Sequence, residues 1–87
     1  MRHVASPQFW QHYAELPAAI QHLADKNYAL LKENPQHPSL HLKQIGRFWS
    51  VRVGLGYRAL AVETPDALIW FWIGSHTDYD RLIARRG

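Results

Sequence analysis

The 87-residue chain has no cysteine. That excludes a disulfide framework, a thiolate metal site and a thiol nucleophile, and it suits a reducing cytosol. Long apolar runs are also missing. Ala67 to Gly74 has the length of a strand, far short of a bilayer span. The opening MRHVASPQFW lacks the apolar centre of a signal peptide. The expectation is a cytoplasmic protein with no membrane segment. No repeat, low-complexity stretch or linker divides the sequence, so we expect one domain over residues 1–87. There is no nucleophile-elbow motif, and Gly54-Leu55-Gly56 lacks the context of a phosphate loop. His37 and His41 are separated by Pro38, which rules out a helical metal pair, and we expect no metal and no cofactor.

Acidic residues are few: seven Asp and Glu stand against ten Lys and Arg, for a net charge of +3 with six His neutral. They are sparse between Asn34 and Ala61, where Lys43, Arg47, Arg52 and Arg58 fall. Such a balance permits an anionic partner without naming one.

What is present is a clear alternation of element signals. Arg47 to Ile83 reads RFWSVRVGLGYRALAVETPDALIWFWIGSHTDYDRLI. Three runs of β-branched and aromatic residues are joined by Gly54-Leu55-Gly56 and Thr64-Pro65-Asp66, which predicts a three-stranded meander. Ser75-His76-Thr77-Asp78 is a helix start. Its helix carries Asp78 and Asp80 early and Arg81, Arg85 and Arg86 late, the order that suits the helix dipole. Upstream, Met1 to Ala5 reads as a short edge strand. Ser6-Pro7 opens a helix with Phe9, Trp10, Tyr13 and Leu16 at helical spacing. Pro17 opens a second, amphipathic helix that ends before Pro35. Ser39 to Ile45 alternates and predicts another strand. The sum is an α+β fold: two N-terminal helices on one face of an antiparallel sheet of about four strands, the other face partly open, and a short C-terminal helix.

Cutting RNA requires cations for phosphates, planar groups for bases, and a proton-transfer group beside the attacking 2′-hydroxyl. Lys43, Arg52 and Arg58 lie on adjacent predicted strands, with Trp49, Tyr57 and Tyr79 as nearby aromatics. His76 follows the last strand. The bland alternatives are solvated or ion-paired arginines, a first-turn histidine bonded to Asp80, and a Tyr79 that anchors its helix in the core.

SVRVGLGYRALAV, the short acidic turn, the strand ending WIGSHTDYDRLI and the preceding HPSLHLKQIG together resemble the RelE/ParE superfamily of bacterial type II toxins. With the upstream helices the resemblance covers nearly the whole chain. It implies a toxin held by a cognate antitoxin and acting on the ribosome and its mRNA as a metal-independent endonuclease, an mRNA interferase. By position, Arg58 would bind phosphate or stabilise the transition state, His76 would be the general acid or base, and Tyr79 would stack on or orient the substrate. Lys43, Arg47, Arg52 and Arg81 would hold RNA. Trp49 and Val51 stand where RelE-type nucleases tend to carry Lys. A ParE-like toxin acting on DNA gyrase, or a non-toxic RNA- or antitoxin-binding module, therefore stays open beside the nuclease.

Overall fold

A computed structural model describes residues 2–86, with side chains to residue 84. Met1 of the expected first strand, and the Arg85 and Arg86 side chains cited for the dipole, lie outside the described residues. The elements run β1 (Arg2–Ala5), α1 (Pro7–Ala14), α2 (Ala18–Glu33), β2 (Lys43–Ile45), β3 (Phe48–Val53), β4 (Tyr57–Glu63), β5 (Ala67–Ser75) and α3 (His76–Arg86). The sheet order is β1-β5-β4-β3-β2.

The start signals act as their chemistry dictates. Ser6 Oγ accepts from Phe9 N–H and caps α1, with Pro7 at the first helical position. Pro17 opens α2. Ser75 Oγ accepts from Asp78 N–H at 3.2 Å and caps α3. Gln21 Nε2 donates to Tyr13 O and the Tyr13 hydroxyl donates to Asp25, tying α1 to α2.

Two features differ from what the sequence predicts. The sheet has five strands and is mixed: β2 to β5 form the expected antiparallel meander, but β1 joins β5 in parallel. Ser6 N–H donates to Trp70 O at 2.9 Å, so the chain leaves the sheet edge directly into α1. The two helices that follow β1 carry the chain across the sheet to β2 at the opposite edge, so β1 is left to close the β5 edge. The second difference concerns Ser39 to Ile45. Pro38–Leu40 is a 3₁₀ turn, and His41 is left-handed at φ 46°. Only Lys43–Ile45 is strand. His37 Nδ1 accepts from Ser39 N–H and closes the turn, which drops Leu40 fully into the core.

Each sheet face buries its own cluster. Val51, Val53, Ala59, Ala61, Leu68, Trp70 and Ile73 pack with Ala24 and Leu31 of α2. On the other face Phe48, Leu60 and Trp72 pack with Tyr79, Leu82 and Ile83 of α3. This face, expected to be partly open, is covered in part by α3, and beside the helix a groove lined by Phe48, Leu60, Val62, Phe71 and Leu82 stays open.

The β1 edge has a proton-sensitive joint. Trp70 Nε1–H donates to His3 Nδ1 at 3.1 Å, and the Tyr28 hydroxyl donates to His3 O. Burial, then the amino-terminal charge and Lys32, hold the His3 imidazole below its usual value of 6.5. A protonated Nδ1 would also face the indole N–H donor to donor. The unfolded chain therefore takes up the proton first as pH falls, and stability declines below about 6.5 towards the folded value. Urea midpoints measured from neutral to mildly acid pH should show this decline in the wild type. His3→Gln keeps an acceptor without the titration, so its acid limb should be flatter. Parallel curves for the two proteins would refute the joint.

Candidate functional site

The site is built from sheet register. Arg52 on β3 lies directly opposite Arg58 on β4, and Arg58 opposite Gly74 on β5. Lys43 on β2 is opposite Ser50, two residues along β3 from Arg52. Residues opposite each other, and residues two apart on a strand, share a face. Ser50 identifies which face: its buried Oγ accepts from the Tyr79 hydroxyl of α3 at 3.3 Å. Lys43, Arg52 and Arg58 therefore all lie on the α3 side, at the end of the sheet where α3 begins.

His76 is brought to the same end. Ser75 is opposite Tyr57, and His76 N–H donates to Gly56 O at 2.8 Å, fastening the first turn of α3 to the β3–β4 turn. Gly54 turns that corner at φ +64°, and a Cβ there would stand 2.6 Å from Leu23 Cδ2. Both the conformation and the space call for glycine. Arg58 Nη1 donates to Tyr57 O at 2.8 Å and to Leu55 O at 3.5 Å, so its guanidinium is held against the turn.

The electrostatics are one-sided. Two guanidinium-bearing residues opposite each other repel, at a cost on the order of 0.5 kcal/mol. Among the described residues the contacts between basic side chains and carboxylates are His76–Asp80 and Arg81–Asp78, both within α3. Neither relieves Lys43, Arg52 or Arg58. Arg52 Nε is buried and, among the described residues, has no hydrogen-bond partner. This arrangement can receive an anion.

Other residues singled out in the sequence lie elsewhere. Arg47 stands at the opposite end of β3, over the Phe48 ring at 5.4 Å. Five residues of strand separate it from Arg52, about 16 Å. Arg81 is exposed and pairs with Asp78 at 3.6 Å. Tyr79, expected to meet the substrate, is buried, and its hydroxyl donates to Ser50 Oγ. Trp49 and Tyr57 pack with the α1–α2 cluster on the opposite face, and Trp49 Nε1–H donates to Glu63 at 2.9 Å. The planar groups left to the site are the guanidiniums and the His76 ring. Asp80, outside the site residues expected from the sequence, has its Oδ2 3.2 Å from His76 Nδ1. The i, i+4 spacing within the predicted helix was the available signal.

Residues 18–81 match the family model of the ParE-like toxin domain. The chain belongs to that family. Solved structures agree with this ParE-like chain in fold. The RelB-RelE antitoxin-toxin complex from Methanococcus jannaschii superposes with a TM-score of 0.68 at 18% identity, covering 90% of this chain and 96% of the other. The YoeB/ParE toxin from Agrobacterium tumefaciens gives 0.65 at 15% identity, covering 87% and 99%. The isolated Escherichia coli RelE toxin gives 0.62 at 12%, covering 99% and 98%. No curated protein matches the sequence of the ParE-like chain.

Proposed function

We propose that this ParE-like toxin cuts messenger RNA on the ribosome, using the end of the α3 face as its site. The observation that carries the reading is the opposed pair Arg52 and Arg58, with Lys43 beside them and no carboxylate among the described residues to neutralise them. A repulsive cluster of this kind is costly in the free protein and favourable against a polyanion. In the reaction the 2′-oxygen of RNA bonds to the adjacent phosphorus and the bond to the 5′-oxygen breaks. The net proton transfer is from the 2′-oxygen to the 5′-oxygen. Arg52 and Arg58 stabilise the added charge on the phosphoryl oxygens, Lys43 holds a neighbouring phosphate, and His76 supplies proton transfer. The nucleophile comes from the RNA and the cations from side chains, so this route requires no metal.

RelB-RelE complexes among the structures similar in fold support a protein antitoxin as the second partner. Covering the cation cluster requires acidic groups, because burying unpaired guanidiniums is unfavourable.

The test is primer extension on a reporter mRNA after brief induction, with and without translation of that message. Discrete cuts that need translation are expected. Growth arrest with intact mRNA and inhibited supercoiling would transfer the target to DNA gyrase, the reading that Trp49 and Val51 at positions of catalytic Lys favour. Unimpaired growth and intact mRNA would leave a binding module.

A further inference from the structure

A histidine that transfers a proton must present one definite nitrogen. The neutral imidazole has two candidates, and which one is bare depends on what the other meets. His76 Nδ1 lies 3.2 Å from Asp80 Oδ2, one helical turn along α3. We infer that Asp80 is a positioning residue that makes Nε2 the nitrogen through which His76 donates its proton to the leaving 5′-oxygen. The inference rests on reading the α3 face as an RNA-cleaving site.

The chemistry follows from the carboxylate. An ionised Asp80 only accepts hydrogen bonds, so the ring nitrogen facing it carries hydrogen. The imidazolium holds protons on both nitrogens. Losing the Nδ1 proton would leave a bare nitrogen against a carboxylate, so the proton that departs is the one on Nε2. In the cleavage step the 2′-oxygen bonds to phosphorus and its proton passes to water. The bond from phosphorus to the 5′-oxygen breaks, and that oxygen takes the Nε2 proton. The ring is left neutral with Nδ1–H still donating to Asp80, and it recovers a proton from solvent.

The local geometry supports this assignment over an idle surface pair. At 3.6 residues per turn, Asp80 stands about 40° to one side of His76 and Tyr79 about 60° to the other. Tyr79 is the residue that faces Ser50 in the sheet. His76 thus lies between the solvent flank, where Asp80 takes Nδ1, and the sheet flank. The other α3 carboxylate in this turn, Asp78, is engaged by Arg81. The backbone of His76 is fixed to Gly56 O, beside the turn that holds Arg58. The His76 and Asp80 side chains are 53% and 65% exposed, so the pair can tighten when RNA excludes water.

The experiment is ¹⁵N NMR of histidine-labelled protein above the imidazole titration, with Asp80→Ala and Asp80→Glu, followed by single-turnover cleavage on programmed ribosomes. The wild-type and Asp80→Glu rings should be protonated at Nδ1. Asp80→Ala should move to the Nε2–H form that an unconstrained ring favours, and circular dichroism should be unchanged. Its cleavage rate should drop roughly tenfold with ribosome affinity unaltered, and Asp80→Glu should restore most of the rate. An unchanged tautomer in Asp80→Ala overturns the inference, as does a changed tautomer with an unchanged rate. A wild-type protein that cuts no RNA yet holds the Nδ1–H ring overturns the proposed function and leaves the Asp80–His76 assignment standing.

Discussion

Arg58→Ala should abolish most RNA cleavage, by about 10²-fold or more, while leaving the protein as stable as before or slightly more so. The two halves of that expectation come from different facts. Arg58 Nη1 is fixed by two backbone carbonyls of the β3–β4 turn, which sets the guanidinium in place before substrate arrives. A preorganised cation at the phosphoryl oxygens acts mainly in the transition state, so its loss should lower the single-turnover rate more than affinity. Stability behaves differently because Arg58 faces Arg52 across the strands. Removing one of two like charges relieves repulsion of about the size that the lost hydrogen bonds contributed. Arg58→Lys should recover little, since an ammonium lacks the planar fork that meets two phosphate oxygens together. The check is single-turnover cleavage paired with urea midpoints for wild type, alanine and lysine variants. A structural cation would lose stability and activity in step. Full cleavage by the alanine variant would remove Arg58 from the site.

The order of elements is legible in the sequence because each boundary has local chemistry: Ser6-Pro7, Pro17 and Ser75 act within one turn of themselves. The partner of β1 was not legible, since pairing His3 with Leu68 depends on contacts across most of the chain. Ser39 to Ile45 failed for a related reason. Alternation looked like strand, but the His37 side chain closes a turn there and the core accepts Leu40. At the site, strand alternation by itself puts Ser50 and Arg52 on one face and Trp49 and Val51 on the other, as they lie in the structure. It could not say which set α3 would cover, because Phe48 makes the cationic face apolar at one end and Trp49 puts an indole N–H on the other. Trp49 and Tyr57 were therefore grouped with the cations, and the structure separates them by the thickness of the sheet. Tyr79 was within reach of the sequence: with Leu82 and Ile83 it forms the buried stripe of α3.

The same end of the sheet depends on a glycine for steric reasons. A Cβ at Gly74 would lie 2.6 Å from Trp72 Cζ2 and 2.9 Å from Cη2. The indole is rigid, 9% exposed, and flanked by the His12 ring at 6.2 Å, so it has little room to withdraw. Gly74 is opposite Arg58 and immediately precedes the Ser75 cap, so any displacement passes to both the cation pair and the start of α3. Gly74→Ala should therefore destabilise the fold by about 1–3 kcal/mol, the scale of overpacking in a filled core. Conformational preference alone would make alanine the easier strand residue, so the sign of the effect distinguishes the two causes. The decisive measurement is a double-mutant cycle with Trp72→Leu, read as urea midpoints. Trimming the indole is costly by itself, but it opens the space that the new methyl needs. Gly74→Ala should then be nearly neutral in the Trp72→Leu background, with a coupling of about 1–3 kcal/mol. Equal costs in both backgrounds would mean that the indole is not the obstacle. A neutral Gly74→Ala in the wild-type background would mean that Trp72 can move aside, and that the end of β5 is looser than its packing implies.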